Sequence, residues 1–299
     1  MPDRPAAPRP PRTLLPAVLA VLALLATACG TSSAAEPQAR AYSGEVRDVT
    51  VEVDGLERSY LLQPATGLKA GETSALVVVL HQEGGTPEGV AAETGLAGLR
   101  SQGATLAYPA GVDSSWDAGA CCGTPKANGV DDVAFLEAVF ADAAEKAPID
   151  PDRTALVGYS SGGMLTYRYV CDRPGTLAAA VVVSGSLESP CGKQITTPDV
   201  LTVHGKSDGT IGFDQPKFIK ALGLAPRPVM STLGILTRSA GCQATPTSTQ
   251  RAGAEVRQWV GCRGGEVQAQ LVPGVGHGWA TLDASRRTSE FLLTHLIDR

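Results

Sequence analysis

A serine placed between two glycines is the first residue in this chain that could do nucleophilic chemistry. The chain reads Gly158-Tyr159-Ser160-Ser161-Gly162, after a short apolar run and before a segment with helical spacing. Gly-x-Ser-x-Gly between a strand and a helix is typical of a sharp turn that exposes a nucleophilic serine at the edge of a sheet. The glycines leave room for the neighbouring strand and helix. The pattern predicts Ser160 as a nucleophile, and an ordinary strand-to-helix turn is the simpler alternative.

A serine nucleophile needs a histidine to take its proton and an acid to orient that histidine. Where the serine lies on such a turn, the three follow the order serine, acid, histidine along the chain. Asp208 follows the apolar run 200–203, and His277 follows the apolar run 267–271. We therefore predict Asp208 as the acid and His277 as the base, with Asp214 as the second candidate for the acid.

The other histidines and one further aspartate have simpler explanations. His81 ends an apolar run upstream of the serine, which is the wrong order for the base. His204 ends another run, where it is expected to tie down the acid loop by hydrogen bonds. His295 lies in the last predicted helix and is expected at the surface. Asp199 precedes its strand and so belongs at the opposite edge of the sheet.

The carbonyl oxygen that the serine attacks becomes negative, so two backbone N–H donors are needed, each contributing about 3 kcal/mol. The amide of Ser161 is expected to be one of them. The other is expected from the loop 81–85, because its glycines allow close approach of backbone to a ligand. We predict the amide of Glu83 as this second donor, with that of Gln82 as the next choice.

Strands that alternate with helices position these residues. Valines alternate with polar residues from 49 to 53 and end at Asp54-Gly55, which predicts an antiparallel hairpin at the start of the domain. Continuous apolar runs then predict buried strands, and helical spacing of apolar residues predicts helices. The strands are expected near 76–80, 105–108, 155–157, 178–183, 200–203 and 267–271, and the helices near 88–100, 131–147, 233–239 and 289–297. This alternation predicts the α/β class, with a mostly parallel sheet, an antiparallel N-terminal hairpin and helices on both faces.

Taken together, the motifs resemble the polyhydroxybutyrate depolymerase and feruloyl esterase group of α/β-hydrolases, the carbohydrate esterase family 1 type, in its actinobacterial lipoprotein branch. The matching stretches are Leu76–Gly85, Ser115–Gly123, Asn128–Val133, Ile149–Arg153, Gly158–Met164, His204–Asp208, Gly241-Cys242 and Gly274–Trp279. The resemblance implies the α/β-hydrolase fold and a serine esterase that acts on an ester of a hydroxy or aromatic acid. It also implies that no metal or other cofactor is needed.

Two stretches depart from that group and leave the substrate open. The oxyanion loop reads His81-Gln82 where the group usually has His-Gly. The acid loop continues with Thr210 to Phe213 where the group usually has Val-Pro-Tyr. These changes keep the reaction class but allow a different acyl site.

Four more side chains near the expected site have both a functional and a structural interpretation. Trp116 and Trp279 lie in loops expected near the nucleophile. They either form an aromatic wall that binds an acyl or sugar group, or they pack the loops. Asp131 and Asp132 open a predicted helix, where a negative charge is stabilising, and this explanation is preferred to a catalytic one.

The N-terminus has the features of an export signal. Three arginines precede the apolar stretch 14–25, which is shorter than the roughly 20 residues of a transmembrane helix. Ala26-Thr27-Ala28 then precedes Cys29, as in a bacterial lipoprotein. We predict a signal peptide at 1–28, a polar tether at 29–44 lipidated on Cys29, and an α/β-hydrolase domain at 45–299, held at the outer face of the cell membrane. Free secretion after ordinary signal-peptide cleavage is the alternative.

The cysteine content also fits an exported protein. Of the seven cysteines, lipidation of the first leaves six, an even number suited to disulfides. We predict a bond between Cys242 and Cys262, which bracket a short stretch. Cys171 is expected toward the far edge of the sheet and Cys191 near the serine, so their pairing stays open. The partners of the adjacent pair Cys121-Cys122 stay open as well.

The charge of the chain argues against nucleic acid as a partner. The net charge is −5, and residues 1–28 contribute +2, so the rest of the chain is near −7 and has no basic stripe. We predict a monomer whose partners are a small-molecule or polymeric ester and, through the lipid anchor, the membrane. The predicted function is a secreted serine esterase acting on feruloyl, acetyl-sugar or polyhydroxyalkanoate-type esters. An acyltransferase of the same fold and a non-catalytic binding lipoprotein are the alternatives.

Overall fold

The computed structural model describes residues 44–298 of the chain. The strands are β1 Arg47–Val53, β2 Leu56–Gln63, β3 Ser74–Leu80, β4 Ala104–Pro109, β5 Ile149–Tyr159, β6 Ala179–Val183, β7 Asp199–Gly205, β8 Thr247–Arg251, β9 Ala254–Trp259 and β10 Val267–Val272. The helices are α1 Pro87–Thr94, α2 Gly123–Asn128, α3 Asp132–Lys146, α4 Ser161–Asp172, α5 Val229–Ser239 and α6 Ala284–Leu292. Shorter helical turns cover Leu96–Gln102, Val112–Ser114, Ala280–Leu282 and Leu293–Ile297.

The strands form one sheet in the order β1-β2-β4-β3-β5-β6-β7-β10-β9-β8. The six central strands, from β4 to β10 in that order, are parallel. The β1–β2 hairpin joins one edge of this parallel centre antiparallel, and the β8–β9 hairpin joins the other. Every residue of β3 and β7 is buried, as expected for strands covered on both faces. The predicted α/β-hydrolase architecture, with its antiparallel N-terminal hairpin, is confirmed.

Helices cover the two faces of the sheet and bury a separate apolar cluster on each. On one face the cluster takes in Phe135 of α3, Leu165 of α4 and Leu233 of α5. On the other it takes in Leu99 and, from α6, Phe291. Since both faces are filled, the open edges of the sheet and the loops at its strand ends remain as places for a site.

Three elements differ from the sequence prediction. The helix expected near 88–100 is broken at Gly95, which has a φ of 61° and separates α1 from a tighter helical turn. The last helix begins at Ala284 rather than near 289. The β8–β9 hairpin was not predicted, because β8 reads Thr-Ser-Thr-Gln-Arg and is exposed at every position. Such a strand has no apolar periodicity and is held by its backbone ladder.

Disulfides link all six cysteines of the described residues. Cys242 is bonded to Cys262, as predicted. Cys171 is bonded to Cys191, with their Cα atoms 4.9 Å apart, so the expected separation of these two residues was wrong. The connection after β6 must return to the opposite edge of the sheet, where β7 begins, and Cys191 lies on that return. Cys121 is bonded to its neighbour Cys122.

A buried ion pair fixes the start of α3 and corrects part of the interpretation of its two aspartates. Asp131 caps the helix, since its Oδ1 accepts the amide of Ala134 at 3.0 Å. Asp132 is fully buried, binds the Arg58 guanidinium at 2.8 Å and accepts the amide of Asp117 at 2.6 Å. Burial raises the pKa of Asp132, although Arg58 opposes this. Asp132 therefore anchors the loop that contains Asp117 rather than only complementing the helix.

Within residues 44–298, no helix is both long enough and apolar enough to span a membrane. The predicted signal peptide, Cys29 and nearly all of the predicted tether lie outside the described residues.

Candidate active site

Ser160 lies at the sharp turn between β5 and α4, at the edge of the sheet where the parallel strands end, here called the catalytic edge. Its backbone has φ 54° and ψ −116°, a conformation that costs energy for any residue with a side chain. A Cβ at Gly158 would collide with the carbonyl of Gly162. A Cβ at Gly162 would lie 2.7 Å from the Leu80 carbonyl oxygen and 2.6 Å from that of His81. The two glycines are therefore needed for the serine turn to pack against β3.

The structure brings the three predicted residues together, although 117 positions separate the serine from the histidine. Nε2 of His277 lies 3.0 Å from Oγ of Ser160. Nδ1 of His277 lies 2.8 Å from Oδ2 of Asp208. Because a carboxylate only accepts, Nδ1 carries the hydrogen and Nε2 is free to accept the serine hydroxyl proton. This arrangement has the geometry of a nucleophile, a base and an orienting acid.

Asp208 is buried, and its loop holds it firmly. Its Oδ1 accepts the amides of Thr210 at 2.8 Å and Ile211 at 2.9 Å. Burial alone would raise the pKa of Asp208, but His277, His204 and the amide of Ile211 together outweigh it and lower the pKa below its ordinary value. Nε2 of His204 donates to the carbonyl of Ile211 at 2.9 Å, so His204 supports the acid loop in the way the sequence suggested.

The remaining acid and histidine candidates lie elsewhere. Asp214 is on the exposed continuation of the same loop. Asp199 is at the other end of β7, where its Oδ2 lies 3.1 Å from Nδ1 of His295. His295 is partly exposed, and its ring also stacks on Phe291 with a centroid distance of 4.2 Å, a contact that the sequence did not predict. His295 joins α6 to the start of β7 and lies outside the catalytic edge.

The loop after β3 lies against the serine turn, where an oxyanion donor is needed. His81 is buried and fixes this loop, because Nδ1 donates to the Gln82 carbonyl at 2.8 Å and Nε2 accepts the Gly111 amide at 3.0 Å. The amides of Gly84 and Gly85 donate to Ser114 and Gln82 carbonyls. The amides of Gln82 and Glu83 therefore remain the candidates within this loop. On the other side of the turn, the Ser161 amide is the first of α4, where helix geometry leaves N–H groups unpaired.

The side chains of the two candidate loop residues are held away from each other. Oγ of Ser115 donates to Oε2 of Glu83 at 2.8 Å, and burial raises the pKa of this glutamate. The side chain of Gln82 hydrogen-bonds Glu93 of α1. Each side chain thus fixes one flank of the loop, and the amides of Gln82 and Glu83 stay the predicted oxyanion donors.

The two tryptophans proposed for substrate binding are buried instead. Trp116 is 0% exposed and its Nε1 donates to the His81 carbonyl at 2.8 Å. Trp279 is 1% exposed and its Nε1 donates to Oγ of Ser285 at 2.9 Å. Neither ring offers a face to a bound ester, so the loop-packing alternative describes them better. Trp116 acts on the site indirectly, by holding the loop that follows β3.

Tyr159 is a residue of this site that the sequence analysis did not single out. Its ring stacks on that of His277 at a centroid distance of 5.7 Å and an interplanar angle of 28°. Trp279 meets the same ring edge-on at 5.9 Å, and the Trp279 backbone hydrogen-bonds the tyrosine hydroxyl. Burial raises the pKa of Tyr159, so it remains neutral. Its position directly before the nucleophile was the available signal for this role.

No group of histidine, cysteine, aspartate and glutamate side chains within residues 44–298 is arranged to hold a metal ion.

Two proteins similar to this chain in sequence carry esterase names. No protein-family model matches it. A protein named "Putative esterase NocK" from Nocardia uniformis subsp. tsuyamanensis is 32% identical over 210 residues, which cover 67% of this chain and 60% of that protein. "Feruloyl esterase D" from Neurospora crassa is 24% identical over 294 residues, which cover 90% of this chain and 94% of that protein.

A solved structure with a similar fold is the acetyl xylan esterase from Aspergillus awamori. It has a TM-score of 0.64 and 17% sequence identity, and the match covers 83% of this chain and 99% of that chain. The structural likeness establishes the α/β-hydrolase fold. The sequence likeness confirms the resemblance to feruloyl esterases that the motifs predicted.

Replacement of Tyr159 tests whether its ring positions His277. Tyr159→Leu removes the stacked ring, and we expect the kcat for p-nitrophenyl acetate to fall about 10-fold with little change in KM, because the imidazole loses its orientation. Tyr159→Phe keeps the ring and should stay within about 3-fold of wild type. Equal loss in both variants would assign the effect to the hydroxyl, and no loss in either would remove the positioning role.

Because His81 and His204 are buried and neutral, we expect the free energy of unfolding to fall on mild acidification. Burial lowers the pKa of His81 and of His204, while in the unfolded chain both titrate at about 6.5. Below that pH the unfolded state binds more protons than the folded one, so stability falls by up to about 1.4 kcal/mol per pH unit for each histidine. Protonation of His204 would also leave a buried donor at Nδ1, which has no partner among the described residues.

Urea unfolding between about pH 5.5 and pH 7.5 measures this effect, since most carboxylates stay ionised in that window. His204→Gln should reduce the pH dependence relative to wild type. Identical slopes for the two proteins would contradict the assignment of His204 as a buried neutral group.

Proposed function

We propose that this chain, which resembles feruloyl esterases in sequence and has the α/β-hydrolase fold, cleaves carboxylic esters through an acyl-enzyme on Ser160. The observation that carries the proposal is the chain of contacts from Ser160 Oγ to His277 at 3.0 Å and from His277 to Asp208 at 2.8 Å. The related proteins carry esterase names, which supports the same reaction class.

In the acylation step, the Oγ of Ser160 attacks the ester carbonyl carbon while its proton moves to Nε2 of His277. The carbonyl oxygen takes the negative charge of the tetrahedral intermediate. The amide of Ser161 and one amide of the loop after β3, from Glu83 or Gln82, stabilise this oxygen. The C–O bond to the alcohol then breaks, and His277 gives its proton to the departing alcohol oxygen. The acyl group remains on Ser160.

Deacylation repeats these steps with water in place of the alcohol. His277 removes a proton from the water as its oxygen attacks the acyl carbon, and the same two amides stabilise the new oxyanion. Collapse of the intermediate releases the carboxylic acid, and the proton on His277 returns to the Oγ of Ser160. Asp208 keeps its charge throughout, because its pKa is lowered, and so stabilises the imidazolium in both steps.

The substrate class proposed is an acyl group esterified to a sugar hydroxyl. The names of two similar proteins support this substrate class. One is named a feruloyl esterase, and the structural neighbour is named an acetyl xylan esterase. Neither tryptophan contributes a stacking surface, so recognition of the acyl group falls to the loop after β3 and the loops around the serine turn.

Removal of the nucleophile or the acid tests the reaction. With p-nitrophenyl acetate, Ser160→Ala should lower kcat by at least about 10³-fold, and Asp208→Asn by about 10²- to 10⁴-fold because the imidazole takes the wrong tautomer. Asp214→Asn is the matched control, because it removes an exposed carboxylate from the same loop. Its rate should equal that of wild type.

Wild-type activity in the Ser160→Ala variant would end the proposal of a serine esterase. A greater loss in Asp214→Asn than in Asp208→Asn would reassign the acid. The same assay with methyl ferulate, acetylated xylan and hydroxybutyrate oligomers ranks the substrates, and a preference for the oligomers would overturn the sugar-ester assignment. Formation of acylated sugar when a sugar acceptor is added would instead indicate an acyltransferase.

We further propose that the enzyme is exported and anchored to the membrane by a lipid on Cys29. The small residues before this cysteine and the even number of cysteines after it support the proposal. In a bacterial host that processes lipoproteins, the wild-type protein should partition into detergent and carry an acylated N-terminal cysteine by mass spectrometry. Cys29→Ala should move the protein to the aqueous phase. An unmodified wild-type N-terminus would leave free secretion as the explanation.

A further inference from the structure

A second cavity lies outside the catalytic edge, between α6 and the uncovered face of the β8–β9 hairpin and β10. Its volume is about 140 Å³, and it is partly open to solvent. Its polar walls come from Gln268 and Gln270 of β10, from Arg251 at the end of β8, and from Arg287 and Glu290 of α6. None of the residues that line it belongs to the serine, histidine and aspartate of the catalytic site.

Arg287 is the unusual residue of this cavity. It is only 5% exposed, yet its guanidinium is bonded to neutral oxygen atoms. Nε donates to the Leu282 carbonyl at 2.9 Å, Nη1 to Oε1 of Gln270 at 2.6 Å, and Nη2 to the Ala252 carbonyl at 2.7 Å. In the described part of the chain, no carboxylate forms an ion pair with it. The charges of Asp283 and Glu290 act on Arg287 without a hydrogen bond to it. A buried guanidinium that is hydrogen-bonded only to neutral oxygens favours an anion that binds beside it.

Hydrogen bonds to Arg287 fix the orientation of the amide groups of Gln270 and Gln268. Oε1 of Gln270 accepts from Arg287, and so its Nε2 is free to donate to Oε1 of Gln268 at 3.0 Å. This leaves the Nε2 of Gln268 as the donor at the end of the row. A guanidinium has five N–H groups, and three bonds account for only part of those of Arg287. Donors therefore outnumber acceptors on this wall.

Most of the other charged side chains around the cavity are already paired. Arg286 is paired with Asp283 at 2.6 Å and with Glu290 at 2.8 Å, so these two carboxylates are already engaged. His295 is paired with Asp199. Arg251 is exposed and has no charged partner within residues 44–298. One arginine without a charged partner and one buried arginine bonded only to neutral oxygens thus line the same cavity, in a protein whose net charge is negative.

We propose that this cavity is a binding site for a small oxyanion, a carboxylate or phosphate group, held by Arg251, Arg287 and the amide of Gln268. Arginine binds both groups through pairs of parallel N–H donors, which accounts for the two arginines at one site. The site recognises the charged group of a ligand and leaves the neutral part in the open half of the cavity. A carboxylate on a sugar and a phosphate ester both satisfy this chemistry.

The alternative is that Arg287 only ties α6 to the turn between β8 and β9. The two explanations differ in Arg251, whose side chain would bind the anion but forms no hydrogen bond or ion pair within the described residues. They also differ in anion binding. A binding site becomes saturated as the anion concentration rises, whereas a purely structural arginine binds no anion.

Isothermal titration of the wild-type chain at constant ionic strength tests the proposal with three probes: inorganic phosphate, glucuronate and uncharged glucose. We expect saturable binding of one or both anions and none of glucose. Arg251→Gln should weaken anion binding about 10-fold, as expected for loss of one charged hydrogen-bonding partner. Arg238→Gln removes an exposed arginine from α5 and should bind as wild type does.

Gln268→Ala is a second cavity variant, should Arg251→Gln fold poorly by thermal melting, and it should weaken binding of the same anion. Tighter binding of phosphate than of glucuronate would identify a phosphate site, and the reverse a carboxylate site. Absence of saturable binding, or equal affinity in wild type, Arg251→Gln and Gln268→Ala, would overturn the proposal. Hydrolysis of p-nitrophenyl acetate should be unchanged in both variants, so failure of this proposal is separate from failure of the proposed function.

Discussion

Close backbone packing at the serine turn is the constraint on which the rest of the structure depends. The turn holds Ser160 in a strained backbone conformation, which is unfavourable for a residue with a side chain. The packing contacts around the turn maintain this conformation. Gly162 packs directly against the carbonyls at the end of β3. The same contact brings the loop after β3 beside the serine, so the nucleophile and its expected oxyanion donor are positioned by one packing interaction.

A second backbone approach links the acid to the base. Gly205, at the end of β7, packs against the carbonyls of Val275 and Gly276, and the amide of Ser207 donates to the Val275 carbonyl at 2.9 Å. These contacts join the loop of Asp208 to the loop of His277 before either side chain is considered. Tyr159 then connects the base to the serine strand. The triad is thus held by strand ends and backbone contacts, which fixes its geometry without a ligand.

The order of residues along the chain was enough to predict this part of the molecule. Buried parallel strands have continuous apolar runs, and the polar residues directly after them meet at one edge of the sheet. The sequence alone therefore predicts that Asp208 and His277 lie at the same edge as Ser160. Other features carry no such signal. The β8–β9 hairpin has an exposed polar strand, the burial of Trp116 depends on a partner carbonyl far away in sequence, and the Cys171–Cys191 bond depends on the path of an irregular connection. The Arg58–Asp132 pair joins β2 to α3, and its residues are 74 positions apart in the sequence, so local sequence patterns do not predict it.

The most direct test of the account is covalent labelling of the nucleophile. A fluorophosphonate reacts with an activated serine and leaves a stable phosphonyl group whose position is read by peptide mass spectrometry. We predict one equivalent of label on Ser160 in the wild-type protein and labelling slowed by at least about 10²-fold in His277→Ala. Label on another residue, or the same labelling rate without the imidazole, would contradict the claim that His277 activates Ser160.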